Sequence, residues 1–299
     1  MPRSRRILWI TLVALAAIVL VVSGATWFRS ESMLRRVYVV PSHTVRIPDD
    51  SASLARGSHL VNAVGTCATC HGEDLAGKVY ADMGPIGMVA GPNLTPGRGG
   101  RGAGFGDEDW IRAIRFGVHR DGTTLIAMPS EVFMNMSDAD LGAVVAYLKQ
   151  LAPVDREMPV SHFRPLGRTM LAAGRLRVLT APKTPAKATV ASVPVAVSPA
   201  YGKYLVEISG CAGCHGYGLS GGKVAGPPGI PPASNITPAG IGSWTEPDLR
   251  RVLREGKKPS GAPIDAFMPW KTYAGMTDDE ISAIWLYLRS VPPKPFGNK

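Results

Sequence analysis

The longest apolar segment of the chain lies near its amino terminus, where residues 7–28 carry no charged side chain. A helix of this length crosses the hydrocarbon core of a bilayer, and Trp9 and Trp27 stand near its two ends, as interfacial anchors do. We therefore predict a membrane anchor over residues 1–30. A cleaved signal peptide is the alternative, because small residues near the end of the run could precede a cleavage site.

Polar caps and helical spacing of apolar residues mark the end of each half of the chain. Ser137 and Thr277 are predicted N-caps, each with an acidic residue three positions later. Apolar residues then recur on one helix face, and Pro153 or Pro292 ends each pattern. These apolar residues are Leu141, Val144 and Leu148 in the first half and Ile281, Ile284 and Leu288 in the second. The sequence shows no sustained alternation with a period of two, so we predict an all-α fold.

The two halves are copies of one unit, repeated at an offset of about 140–145 residues. Each unit is predicted to begin with a helix, over about residues 54–64 in the first and 200–209 in the second. A middle helix follows, which in the second unit begins at the N-cap Thr245 and ends before Gly256.

The repeat also sets the predicted domain boundaries. The units span residues 50–152 and 199–294, and residues 153–198 link them. Within the linker we predict a short helix in residues 162–179, packed on a neighbour. Residues 180–199, rich in Pro, Ala, Val, Thr and Lys, predict an extended segment.

Each unit contains one C-x-x-C-H motif, and the two motifs use all four cysteines of the chain. This spacing lets a chain hold haem through two thioether bonds and ligate its iron with the adjacent histidine. The residues are Cys67, Cys70 and His71 in the first unit and Cys211, Cys214 and His215 in the second. A thioredoxin-type redox pair would need a βαβ context, and a four-cysteine zinc site would leave both histidines unexplained. We predict two covalently bound haem c groups.

A haem iron that carries electrons needs a second axial ligand, commonly methionine. In the second unit only Met268 and Met276 follow the motif. Met276 stands just before the N-cap, the position of a hydrophobic staple, whereas Met268 precedes a proline in a stiff, non-helical loop. Met268 and its counterpart Met128 are therefore the predicted ligands. The alternatives in the first unit are Met83, Met88 and Met134.

The net charge of +10 is unevenly distributed. Residues 1–50 carry seven Lys/Arg against three Asp/Glu, and residues 153–198 carry seven against two. A nucleic-acid-binding module would show a basic face with interleaved aromatic residues, which the sequence does not indicate. A membrane surface or an acidic partner fits this distribution better.

Three further motifs occur in both units. N-[LI]-T-P begins at Asn93 and Asn235, M-P-x-x-x-[YF] ends at Phe133 and Tyr273, and M-[ST]-D-x-[DE] precedes each final helix. Each unit resembles the class I cytochrome c domain. The full set of motifs resembles the membrane-bound cytochrome c subunits of bacterial alcohol, gluconate and related dehydrogenases. The resemblance implies haem attachment at Cys67, Cys70, Cys211 and Cys214 and iron ligation by His71, Met128, His215 and Met268.

The resemblance also implies a role. Such subunits accept electrons from a catalytic dehydrogenase subunit and deliver them to a respiratory acceptor, quinone or a terminal oxidase. Because haem c is attached outside the cytoplasmic membrane of bacteria, we expect a single N-terminal span in the inner membrane with both haem domains in the periplasm. The hypothesis is a non-catalytic dihaem cytochrome c with two tandem cytochrome c domains behind a transmembrane helix. Its rivals are a dihaem enzyme, such as a peroxidase or a thiosulfate-oxidising cytochrome, and the dihaem subunit of a terminal oxidase.

Overall fold

The first helix of the molecule contains the whole charge-free run. The structure, a computed structural model, describes residues 2–42, 44–184, 189–224 and 230–297. Helix α1 (Arg3–Leu34) exposes its apolar side chains, and it is the one helix among the described residues that is long and apolar enough to cross a membrane.

The first unit follows in five helices and a hairpin. Its elements are α2 (Ser51–His59), which runs on into a π-helical turn (Leu60–Val64); α3 (Ala68–His71); the strands β1 (Lys78–Asp82) and β2 (Gly87–Gly91); α4 (Asp107–Ile111), which also continues as a π-helical turn (Arg112–Phe116); α5 (Ser130–Phe133); and α6 (Asp138–Lys149). Helix α6 begins at the predicted N-cap Ser137, whose side chain accepts from the Asp140 amide.

A small sheet is the part of the fold that the sequence analysis did not predict. Strands β1 and β2 pair antiparallel with a bulge between Val79 and Ala81, and β3 (His162–Phe163) adds to β2 from the linker. Strand β1 is exposed on both faces and β3 has two residues. Neither strand therefore produces the alternation by which a half-buried strand is recognised. Helices still dominate the fold, and the predicted all-α class is confirmed.

The predicted linker helix is present as α7 (Pro165–Ala172) and packs on the end of α1. The Arg29 Nε atom donates to the Ala172 carbonyl at 2.8 Å. The Arg168 guanidinium lies 3.7 Å from the centroid of the Trp27 ring and donates to the Glu31 carboxylate at 2.7 Å. The linker helix is thus fixed to the carboxyl-terminal end of α1.

The next part of the linker differs from the extended segment that the composition predicts. Residues 180–184 include a 3₁₀ turn (Ala181–Lys183), and Thr180 is fully buried against the first unit. Residues 185–188 lie outside the described part of the chain. Pro, Ala and Thr composition indicates an extended backbone, but it does not reveal which side chains find buried partners.

The second unit repeats the helical plan of the first. Its helices are α8 (Pro199–Ile208), α9 (Cys211–His215), α10 (Pro238–Ile241), α11 (Glu246–Glu255), α12 (Trp270–Tyr273) and α13 (Asp278–Ser290). The predicted caps are confirmed: Thr245 and Thr277 each form a capping box, and Gly256 ends α11 with a φ of +65°.

The first and last helices of each unit cross at a glycine. A side chain at Gly57 would collide with the backbone carbonyl of Ala143 in α6, and one at Gly202 would collide with that of Ala283 in α13. Only a residue without a Cβ permits backbones to approach this closely. The two repeat-related glycines therefore fix the same helix crossing in both units.

The two units share one continuous hydrophobic core and a polar network across their boundary. The Tyr204 hydroxyl donates to Asp140 at 2.6 Å, and the His59 Nε2 atom lies 2.7 Å from Glu280. Arg56 donates to Asp140 at 2.9 Å and 3.0 Å and to Glu280 at 3.3 Å. His59 and Tyr204 occupy equivalent positions in the two units, as do Asp140 and Glu280. The Tyr204–Asp140 and His59–Glu280 contacts across the boundary are therefore related by the repeat.

Candidate haem sites

One-turn helices present the two C-x-x-C-H motifs. Cys67 is the N-cap of α3, and Cys211 is the first residue of α9. The backbone just before each motif is left-handed, with φ of +52° at Thr66 and +77° at Gly210. Within one helical turn, positions i, i+3 and i+4 lie on one face, so each motif gathers its two sulfurs and its imidazole on the same side.

The thiols have the environment of buried attachment groups. All four cysteines are free and half-buried. Burial raises the pKa of Cys67 to about 12 and also raises the pKa of the others, Cys70, Cys211 and Cys214. A redox-active C-x-x-C pair has a lowered pKa instead, which argues against the thioredoxin-type alternative. Within the described ranges, no group of three or more His, Cys, Asp or Glu side chains is arranged to hold a metal ion.

Both histidines are oriented by a backbone carbonyl. The His71 Nδ1 atom lies 2.9 Å from the Pro92 carbonyl, and the His215 Nδ1 atom lies 2.7 Å from that of Ser234. Since a carbonyl only accepts, Nδ1 carries the proton, and the Nε2 lone pair is left for a metal. Burial lowers the pKa of both imidazoles and outweighs the opposing effect of the carbonyls. The lowered pKa favours the neutral imidazole, which is the form that ligates iron.

In the second unit one cleft brings together three of the four predicted site residues, all except Cys214. Cys211, His215 and Met268 line it, although Met268 is distant from the motif in the sequence. The walls are almost entirely apolar and include Ile236, Leu249, Leu253, Ile264 and Leu288. Haem c requires cysteine sulfur for its attachment, an imidazole nitrogen and a thioether sulfur for its iron, and apolar walls for its flat ring. These residues fit the group.

The loops that carry Met128 and Met268 have the same backbone geometry from the methionine onward. Each methionine precedes a proline that caps a one-turn helix, α5 or α12. The Met128 carbonyl accepts from the Ser130 amide at 2.9 Å, and the Met268 carbonyl accepts from the Trp270 amide at 2.8 Å. Both side chains are half-buried and pack against the shared core, as does Cys67. The loops differ before the methionine, where Ala127 has a positive φ and Phe267 does not.

Three of the other methionines are buried at the ends of helices. Met136 and Met276 precede the N-caps of α6 and α13 and are only 3% and 2% exposed. Met276 also lines the cleft, but it is held at the start of α13, where it packs as a hydrophobic staple does. Met134 is buried at the end of α5. The other two alternatives belong to the hairpin: Met83 precedes the turn that joins β1 to β2, and Met88 lies in β2.

The asparagines of the N-[LI]-T-P motifs hold loops. The Asn93 side chain donates to the Val154 carbonyl at 2.8 Å and accepts from the Thr95 amide at 2.9 Å. Asn235 makes the equivalent bonds to the Lys294 carbonyl and the Thr237 amide. In each unit the asparagine side chain therefore connects the N-[LI]-T-P loop to the segment that follows the final helix.

The two sites differ in how much protein covers them. His71 is 7% exposed, whereas His215 is only half-buried. In the first unit β2 lies against the motif, and the linker supplies β3 to the same sheet. Met128 has a further contact that sequence reasoning missed, a hydrogen bond from Thr180. Its donor lies outside the repeat, so no repeat-based signal could identify it.

Comparison with known proteins identifies both units. A family model described as cytochrome c oxidase, cbb3-type, subunit III matches residues 52–148, and one described as cytochrome c matches residues 199–292. Across most of its length the chain is similar to the cytochrome c subunit of alcohol dehydrogenase (quinone) from Gluconacetobacter polyoxogenes, with 31% identity over 281 residues that cover 83% of this chain and 58% of the relative.

Two other relatives give the same result. The fructose dehydrogenase cytochrome subunit of Gluconobacter japonicus is 31% identical over 81% of this chain and 53% of its own length. The gluconate 2-dehydrogenase cytochrome c subunit of Pantoea cypripedii is 31% identical over 83% of this chain and 62% of its own length. The chain thus spans a little over half of these relatives. It belongs to the c-type cytochromes, with two cytochrome c domains that carry two covalently bound haem c groups.

Proposed function

We propose that each C-x-x-C-H motif attaches one haem c and that its histidine and the methionine of the later loop ligate the iron. The first site would use Cys67, Cys70, His71 and Met128, and the second Cys211, Cys214, His215 and Met268. The shared cleft of Cys211, His215 and Met268 supports this assignment for the second unit. The equivalent loop geometry supports it for the first. We propose residues 50–152 and 199–294 as the two haem domains.

The function that these sites support best is relay of single electrons from a catalytic dehydrogenase subunit to the respiratory chain. When bound, haem c supplies one-electron exchange between ferric and ferrous iron. The protein would contribute an imidazole nitrogen, a thioether sulfur and a mostly apolar cleft. Because a histidine and a methionine would together ligate each iron, the sites suit an electron carrier and not a peroxidase, which needs an open position on the iron. The observation that carries the proposal is the convergence of His215 and Met268 on one apolar cleft, in a chain similar to dehydrogenase cytochrome subunits.

We further propose that the chain is anchored in the bacterial inner membrane with its haem domains in the periplasm. The retained anchor is favoured over a cleaved signal because the charge-free run of residues 7–28 is longer than the apolar region of a signal peptide, which has about 7–15 residues. The carboxyl-terminal end of α1 also packs on α7, where Arg168 contacts the Trp27 ring and the Glu31 carboxylate. Attachment of haem c outside the cytoplasmic membrane supports the orientation. We propose quinone or a terminal oxidase as the acceptor.

An oxidase subunit is the second candidate function, because the first unit matches the cbb3-type model. That match covers a single cytochrome unit, however. The relatives that span both units are cytochrome subunits of dehydrogenases. The dehydrogenase partner therefore remains the favoured proposal.

The test is to purify the full chain from membranes in mild detergent with its associated subunits. Alcohols, sugars and sugar acids are then added while the haem absorption is recorded. We expect a co-purifying dehydrogenase and reduction of haem by one substrate class, with none when the separated chain is tested. Turnover of peroxide or thiosulfate by the chain alone, or co-purification with oxidase subunits, would contradict the proposal.

A further inference from the structure

A segment outside both repeats fastens the loop that carries Met128. We call residues 176–184 the strap; it follows α7 and runs along the first unit. The Ala127 amide donates to the Val178 carbonyl at 2.7 Å, and the Thr180 amide donates to the Leu125 carbonyl at 3.1 Å. These two bonds hold the strap antiparallel to the backbone that leads into Met128.

Thr180 adds a contact to Met128 itself. Its side-chain hydroxyl donates to the Met128 carbonyl at 2.7 Å, and the residue is 0% exposed. The Thr124 hydroxyl accepts from the Thr180 and Ala181 amides at 3.1 Å and 3.0 Å. A side chain at Gly117 would collide with that of Thr180. The hydroxyl therefore has little freedom to turn away from Met128.

The Met128 loop needs this support because its backbone is strained. Ala127 has a φ of +62°, in the left-handed region that residues with a Cβ avoid. Such a conformation is unfavourable and persists only where surrounding contacts determine it. The bonds from the strap fall on Ala127 and on the next residue.

The second unit supports its methionine loop in another way. The ring of Trp270 occupies the space beside Gly256 that Thr180 occupies beside Gly117. The Met268 amide donates to the Asp265 carbonyl at 3.1 Å, within the same loop. Trp270 belongs to the unit, whereas Thr180 comes from the linker.

We infer that Thr180 is a positioning residue, which holds the Met128 loop so that the thioether stays at the first haem. This inference rests on the proposed ligation of that haem by Met128. It assigns to the linker a role in the redox site of the first unit. The second haem is independent of the strap.

The test compares Thr180→Val, which removes the donor at almost unchanged volume, with Thr180→Ser, which keeps it. In the full chain with both haems, we expect Thr180→Val to weaken the far-red absorption band of ferric Met/His haem and to increase cyanide binding at the first haem. Amide hydrogen exchange at residues 125–128 should accelerate about fivefold, the effect of one lost buried hydrogen bond. Thr180→Ser should restore all three readouts.

Two further variants separate positioning from general stability. Thr184→Val is the matched control, because the Thr184 hydroxyl donates to the Phe116 and Ala181 carbonyls and does not touch the methionine loop. It should leave the band and the exchange unchanged. Thr124→Val loosens the strap without removing the Thr180 hydroxyl, and it should show a milder form of the effect of Thr180→Val. It keeps the inference testable if Thr180→Val does not fold.

Met128→Ala distinguishes the two ways in which the account could fail. If Met128→Ala leaves the far-red band intact, the proposed ligand is wrong. A second result is that Met128→Ala removes the far-red absorption of the first haem while Thr180→Val and Thr124→Val change neither this absorption nor the amide exchange. In that case Met128 remains the ligand, and the role of Thr180 is overturned. An equal effect of Thr184→Val would also overturn it, because the strap would then act through stability alone.

Discussion

The two cytochrome c units reach the same helical plan through different local structures. Between Gly57 and Cys67 the first unit has one residue more than the second has between Gly202 and Cys211. The first unit absorbs it as a π-helical turn, in which the Gly65 amide donates to the Leu60 carbonyl at 2.7 Å. The second unit has no π-helical turn here: α8 is regular α-helix as far as Ile208, and a turn at Ser209 and the left-handed Gly210 leads into the motif.

The surroundings of the two C-x-x-C-H motifs also differ, because more of the protein covers the first motif than the second. The first unit covers its motif with β2 and fastens its methionine loop with the strap. The second unit relies on its own Trp270 and leaves His215 half-buried. The difference teaches that the repeat fixes the motif helix and the turn after each methionine, while the cover over each motif is set by segments that are not repeated. We expect the first haem to be the better shielded from solvent.

Loss of an axial methionine should have the largest effect on this comparison. Met268→Ala should lower the potential of the second haem and open it to added ligands, because the soft thioether raises the potential. Spectroelectrochemical titration measures both potentials, and the first haem should be unchanged. Met276→Ala should cost about 2–5 kcal/mol of unfolding free energy, as a buried methionine does, and leave the spectrum intact. An exchange of these two phenotypes would refute the assignment.

The glycine at the helix crossing should be the next most sensitive site. Gly202→Ala places a methyl group against the Ala283 carbonyl, and Gly57→Ala places one against the Ala143 carbonyl. Each should lower the unfolding free energy by about 1–3 kcal/mol or more, the range for an overpacked core. Denaturant unfolding checks this. Gly104→Ala is the control and should be close to neutral, because the added methyl group would meet only the Arg101 carbonyl, at an ordinary contact distance of 4.0 Å. If only one of the two Gly→Ala variants lowers the unfolding free energy, the two helix crossings are not equivalent.

The boundary between the units should weaken in acid. Burial opposes ionisation of Glu280, but hydrogen bonds from His59 and the Thr277 amide outweigh it and lower its pKa below the ordinary value of 4.5. The stabilisation is therefore complete above that value and is lost as the pH falls through the lowered pKa. Glu280→Gln should cost about 1.5–3 kcal/mol at neutral pH, the range for bonds to a charged group. Its unfolding free energy should converge with that of the unmodified chain in acid. A cost that does not depend on pH would contradict this interpretation.

The smallest effect is expected just before the first motif. Thr66 and Gly210 occupy equivalent left-handed positions, but only Gly210 lacks a Cβ. Thr66→Gly should therefore stabilise the first unit by about 1 kcal/mol, the lower end of the strain that such a residue stores, and Gly210→Thr should destabilise the second. Thermal unfolding of the haem-loaded chain measures both. No gain from Thr66→Gly would mean that surrounding contacts compensate the strain.

The helices, their caps and the haem motifs could be predicted because their signals are local. Thr245, Thr277 and Gly256 act through neighbours a few residues away, and spacing alone identifies each C-x-x-C-H. The sheet and the strap could not be predicted, because β1 is exposed and Thr180 gains its role from a partner 52 positions away. The insertion before Cys67 is visible in the sequence. That it forms a π-helical turn depends on the packing of Leu60 and Val64.

The central claim is that each unit holds one haem on its own motif. Mass spectrometry of the chain, produced with working haem-attachment machinery and digested with protease, tests this most directly. The account predicts a mass increase of two haems for the intact chain, with one haem on the peptide that contains Cys67 and Cys70 and one on the peptide that contains Cys211 and Cys214. An unmodified chain, or a haem on only one of the two peptides, would contradict it.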